Sequence, residues 1–188
     1  MKRVSLLVVA ALFLACGTAQ AQMFDITNPG DPLVGIPNDN NWPAAEAPLN
    51  AIDNVLTTKY LCFKTSFVPD QTTGYSGFAV TPSGPKAVVK ALNFAAANDA
   101  VERDPIAFSF WGSDESIDGP WTLIAEGTID ELNQAASYAR STWITKPVEI
   151  KSKRAYTHYQ LLFTELRARA SANSMQIAEV ELLSDGST

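Results

Sequence analysis

Histidine is almost missing from this sequence: His158 is the only one, and it falls inside a strand-like apolar stretch, Tyr156 to Phe163. A Ser-His-Asp triad would have to be built on that one ring, and no serine is framed by the glycines of a nucleophile elbow. No H-E-x-x-H and no paired-cysteine motif occurs, so zinc chemistry has no recognisable ligand set. Cysteine is scarce as well. Cys16 lies near the N-terminus and Cys62 between Leu61 and Phe63, so a chain shortened at its leader has no partner for an internal disulfide, and Cys62 reads as a small core hydrophobe. No Lys/Arg cluster offsets 20 acidic residues against 14 basic ones, a net charge of −6. That balance disfavours nucleic acid and anionic membrane and leaves a neutral ligand or a cation.

Long hydrophobic runs are also lacking. The single candidate, Val4 to Ala15, follows Lys2 and Arg3 and is followed by Ala19-Gln20-Ala21. It is shorter than the roughly 18 apolar residues a spanning helix needs, and its flanks are those of a secretory signal peptide cleaved after Ala21. A lipoprotein reading would rest on Cys16, but Phe13 stands where an aliphatic residue is expected. The expected products are a leader, 1–21, and a single domain, 22–188, that is secreted, periplasmic or held at the cell surface. Removing Lys2 and Arg3 leaves 12 basic and 20 acidic residues, a charge of −8.

What is present is β-structure. Pro29, Pro32, Pro37, Pro43 and Pro48 exclude a long helix before Asn50, while Ile26, Leu33, Val34, Ile36 and Trp42 anchor that stretch. The clearest element is Asp104 to Ile124. There Ile106, Phe108 and Phe110 alternate at a period of two, Asp118-Gly119-Pro120 supplies turn chemistry, and the pattern resumes at Trp121. This predicts a hairpin with Phe108, Phe110 and Trp121 in the core and Trp111 outward or under a loop. Further strands are expected in 60–67, 74–82, 87–98 (Val89, Ala91 and Phe94 inward), 142–150, 156–163 and 175–183, with a short helix or irregular crossing in 129–139. About eight strands with little helix indicate an all-β sandwich of the jelly-roll kind.

Three stretches resemble a known family. Pro105, Phe108, Gly112, Ser113, Gly119, Trp121 and Ile124 match a P-x-x-F/Y-x-x-x-G-S strand, a D/N-G loop and W-x-x-I. Ala51, Asp53 and Thr58, with Tyr60 opening a strand, resemble an A-x-D-G-x-x-x-T-x-W loop, and Ile177 to Leu182 resembles I-A-E-x-E-L. These are features of discoidin, or coagulation factor V/VIII C-type, domains, the galactose-binding-like jelly-roll β-sandwiches. The resemblance implies a loop that wraps a structural Ca²⁺, with Asp53 and Glu179 giving carboxylates, Thr58 hydroxyl and carbonyl, and Asn50 and Val55 backbone carbonyls. Asn54 replaces the usual glycine and Val55 a common Asp or Asn. The alternative is an Asx-type turn without an ion.

The resemblance also implies a non-catalytic module that recognises carbohydrate with loops at one end. Two loop clusters, 98–104 and 167–174, and the Trp42 region with Asp39, Asn40 and Asn41 are the candidate rim. Trp42, Asp39, Asn98, Arg103 and Asn173 are the candidate ligand contacts. Ion pairing of Arg103 with Asp99 or Asp104 that merely shapes a loop is the competing account. A structural or adhesive protein with a protein or matrix partner is the alternative function. A hydrolase is disfavoured by the isolation of His158.

Overall fold

The computed structural model describes residues 22–63, 76–134 and 138–188. The predicted leader, 1–21, lies outside them, as does part of the strand expected to run on to Phe67. Twelve strands are formed: β1 (Phe24–Asp25), β2 (Leu33–Ile36), β3 (Tyr60–Cys62), β4 (Ser76–Val80), β5 (Val89–Ala96), β6 (Pro105–Ser113), β7 (Thr122–Thr128), β8 (Thr142–Trp143), β9 (Val148–Glu149), β10 (His158–Leu166), β11 (Met175–Ile177) and β12 (Glu179–Ser184). The crossing between β7 and β8 contains one short helix, α1 (Asp130–Gln134). The excess over eight comes from β1 and β2, of two and four residues, and from the division of two expected strands, 142–150 and 175–183, into β8 with β9 and β11 with β12.

All pairings are antiparallel. One sheet runs β2-β4-β10-β6-β7. The other runs β1-β12-β5, with β8 and β9 both on the outer side of β5, and β11 and β3 form a small ladder. The predicted hairpin is β6-β7, in register from Ala107 opposite Thr128 to Gly112 opposite Thr122, with a shift at Phe110/Trp111.

The two sheets close on an aromatic core. Phe94 of β5 meets Phe108 of β6 at 5.6 Å and Phe163 of β10 at 6.4 Å between ring centroids, and Phe110 stacks on Tyr159 at 5.4 Å. Alternation on β10 buries Tyr159, Leu161 and Phe163 in turn. Burying each such side chain contributes about 1.5–3 kcal/mol. Tyr159 also donates its hydroxyl proton to the Ala87 carbonyl at 2.8 Å, so the polar tip is satisfied inside the core. Gly112 lies face-on to the Tyr156 ring, and any Cβ there would overlap it.

Two expectations, for Trp121 and Ala91, need correction. Trp121 is only half-buried: it sits on the positive-φ Gly119 turn rather than in the core. On β5, Leu92, Phe94 and Ala96 join the central cluster, whereas Ala91 is buried outside it. A register shift near Ser184 lets Val89 join the same cluster, which a strict period of two does not allow. Trp111 is half-buried and donates its indole N–H to Ser109 at 2.9 Å.

Register also sorts the loops. Pro105 lies opposite Leu166, Glu179 opposite Ala95, and Ile36 opposite Gly77. The connections 37–59, 97–104, 129–141 and 167–174 therefore gather at one end. The connections 81–88, 114–121 and 150–157 gather at the other.

Candidate functional site

The Asp53 loop follows two 3-10 turns, Ala44–Glu46 and Pro48–Ala51, and leads into β3. Asn54 takes φ +63°, the left-handed geometry its short amide tolerates in place of glycine. Asp53 Oδ1 accepts from the Val55 N–H at 2.9 Å. The Thr58 hydroxyl lies 3.0 and 2.8 Å from the two Asp53 oxygens and 2.7 Å from the Val55 carbonyl. One hydroxyl proton cannot serve three acceptors at once, so oxygen crowds this loop.

Glu179, fully buried at the head of β12, adds a second carboxylate from 124 residues away. Its Oε1 accepts from the Val55 N–H at 3.1 Å, and its Oε2 is buried with no hydrogen-bond partner. Burial, and after it the neighbouring Asp53, pushes the Glu179 carboxyl up to about 9. The surplus of oxygen over hydrogen is the donor set a hard cation satisfies, so the residues present fit such an ion. Asn50 acts on the loop from behind: its amide donates to the Ala45 and Lys59 carbonyls at 2.9 and 3.0 Å.

Beside this loop lies a charged network that sequence reasoning only half anticipated. Lys59, 6% exposed, reaches Asp99 at 2.9 Å, the Gln176 amide oxygen at 3.3 Å and Glu46 at 3.7 Å. Gln176 donates in turn to the Ala100 carbonyl at 3.1 Å. Burial works against the Asp99 carboxyl, but the Lys59 hydrogen bond and charge outweigh it and hold it low. Arg140 pairs with the buried Asp104 at 2.5 and 2.7 Å and donates to the Asp99 carbonyl at 2.8 Å. Asp104 therefore pairs with Arg140. Arg103 acts on Asp99 by charge and keeps its Nε buried without a hydrogen-bond partner.

The two predicted rim loops do meet. The Arg167 N–H donates to the Asp104 carbonyl at 2.9 Å and the Ala168 N–H to the Glu102 carbonyl at 3.1 Å. Asn98 and Asn173 are both exposed on these loops, and Asn173 accepts from the Ser174 hydroxyl at 3.0 Å. Trp42 packs edge-on to Tyr60 at 6.3 Å and lines a groove of about 240 Å³ with Leu33, Gly35, Asn38, Pro48 and Leu49. Asp39, exposed beside it, accepts from the Asn41 N–H at 3.2 Å. Lys59, Gln176 and Arg140 carried no sequence signal, because each acts across more than 35 residues. His158 pairs its Nδ1 with the Thr81 hydroxyl at 2.7 Å, as a satisfied strand residue.

The architecture is a β-sandwich with the galactose-binding-like, discoidin-like fold. Comparison with protein-family models and with curated protein sequences finds no match. Solved structures do match in fold. The family 32 carbohydrate-binding module of Clostridium perfringens NanJ, in complex with galactose, superposes with TM-score 0.59 at 13% identity, over 86% of this chain and 99% of that one. A family 32 module from a C. perfringens family 31 glycoside hydrolase gives 0.57 at 11% identity over 81% and 90%. Two such modules of C. perfringens ZmpB with GalNAc give 0.55 at 16% identity, over 81% of this chain and 34% of that longer one.

Proposed function

We propose that this protein is an exported, non-catalytic carbohydrate-binding module whose loop end holds the sugar and whose Asp53 loop holds a structural Ca²⁺. The observation that carries the sugar reading is the meeting, at one end of the sandwich, of the Trp42 groove with a fixed polar network. Ala47 to Leu49 wall the groove, and Glu46, one residue earlier, faces Lys59. An aromatic edge beside preset donors and acceptors suits a ligand with C–H faces and hydroxyls. The fold neighbours complexed with galactose and GalNAc support this class of ligand.

Asp53, Glu179, Thr58 and the Val55 carbonyl would hold the ion, with Asn50 bracing the loop. The ion would supply positive charge to two adjacent carboxylates and tie β12 to the loop. Export rests on the leader read in the sequence.

Titration with galactose, GalNAc and their oligomers, read by calorimetry, tests the sugar site. Wild type is expected to bind at least one of them, and Trp42→Ala to weaken that binding tenfold or more. Unchanged binding in Trp42→Ala would move the site elsewhere.

Exposed Leu49, Val55 and Phe63 around the same end favour a second reading, an adhesive surface with a protein partner. It predicts no response to any sugar and loss of partner capture in Leu49→Asp.

A further inference from the structure

A second recess lies away from the Trp42 groove, where the sandwich opens between the outer edge of β7 and the paired edge of β5. Here the chain leaves β5 after Ile144 and returns to it at Val148, and the intervening segment is held to α1. The cleft encloses about 510 Å³, the size of a small-molecule site. Its floor is apolar, from Ile144 and Val148, and its rim carries the exposed side chains of Thr128, Asp130, Lys146 and Glu149.

The walls are preset. Glu131 accepts from the Thr145 N–H at 2.8 Å, the Thr145 hydroxyl at 2.9 Å and the Lys146 N–H at 3.0 Å, which clamps the projecting segment to α1. Behind it the Ile144 N–H donates to the Phe94 carbonyl at 2.9 Å, and Tyr138 donates to the Trp143 carbonyl at 2.7 Å. A cleft with both walls tied down loses little conformational entropy on binding.

Its chemistry differs from that of the Trp42 groove. Among the described residues no aromatic ring lines it, and three carboxylates, Asp130, Glu131 and Glu149, stand against one ammonium, Lys146. An apolar floor suits sugar C–H groups and carboxylate acceptors suit hydroxyl donors, while the surplus negative charge favours a cationic ligand over a neutral one. We propose that this cleft is a second binding site, selective for glycans with free amino groups, of the kind made of glucosamine units. The site goes beyond the Trp42 reading and does not depend on it.

The test is a calorimetric and NMR titration of the protein at mildly acidic pH. A glucosamine trimer is compared with its fully N-acetylated counterpart and with trilysine. The glucosamine trimer is expected to bind at least tenfold more tightly than the acetylated one and than trilysine, to weaken as salt is raised, and to shift resonances of 127–131 and 144–149. Both Asp130 and Glu149 are exposed, so the double variant D130N/E149Q is expected to fold as wild type and lose at least tenfold in affinity, while Trp42→Ala keeps it. Absence of binding at millimolar trimer, equal binding of the acetylated sugar, equal binding of trilysine, or shifts confined to the Trp42 groove would each overturn the proposal.

Discussion

The two ends of the sandwich handle polar groups in opposite ways. At the far end, exposed Asp114 accepts from Lys86 at 2.6 Å, Arg154 at 2.8 Å and the Thr157 N–H at 3.0 Å, and these partners hold its carboxyl far below the usual range. Lys86 and Arg154 are exposed and Thr157 is half-buried, and the cluster pins loops together. At the loop end, Lys59 and Glu179 are buried, and one Glu179 oxygen has no partner. Burying unpaired polarity costs free energy unless something arrives to pair it. The contrast separates an end that pairs its charges at the surface from an end that buries polarity without pairing all of it.

A large effect is expected where that contrast is most severe. Lys59→Met removes a buried ammonium and leaves the Gln176 amide oxygen without its donor, while Asp99 and Glu46 keep access to water, and should cost about 1–3 kcal/mol in denaturant unfolding. Lys86→Ala, at the far end, should cost under about 1 kcal/mol. Equal losses would erase the distinction.

The ion comes next. Millimolar Ca²⁺ should raise the melting midpoint by mass action, by about 4 kcal/mol if it exceeds Kd a thousandfold, and both Asp53→Ala and Glu179→Ala should abolish the response. A chelator titration on the same proteins checks the reverse direction.

Acidity sharpens the same point. Without a cation, the folded-state Glu179 carboxyl stands at about 9, above its ordinary value of 4.5, so folding takes up a proton between them. Stability in chelator should be fully present below about pH 4.5 and fall progressively as pH rises toward 9. Glu179→Gln should flatten that slope, and a slope unchanged in the variant would refute the assignment. A smaller effect of the same sign belongs to Asp25, whose carboxyl burial raises to about 6. Gly112→Ala, independent of pH, must displace the Tyr156 ring and should cost about 1–3 kcal/mol.

Much of this end could be read from the chain because its grammar is local. Asp53, Asn54 and Thr58 lie within one loop, so their hydrogen bonds depend on spacing alone, and Glu179 was found through the strand that carries it. The hairpin was legible for the same reason. Lys59 was not, since nothing about a lysine beside a threonine says that it will be buried against residues 40 and 117 positions later. Trp121 misled because hydrophobicity does not reveal that a turn holds the ring at the surface. The 142–150 stretch was legible as a strand but not as two pieces, β8 and β9, and the cleft beside the segment that divides them was hidden with the break.

The pairing of β1 with β12 has a bearing on how such a molecule can be held. Phe24 lies opposite Ser184, so β1 begins and β12 ends side by side, at the pole opposite the Asp53 loop. Whatever is attached to either end, a surface, a bead or a fused enzyme, would leave the grooved pole pointing outward. Coupling through residue 22 or through residue 188 should therefore display the same face, which makes the orientation of an immobilised sample independent of the choice of tag.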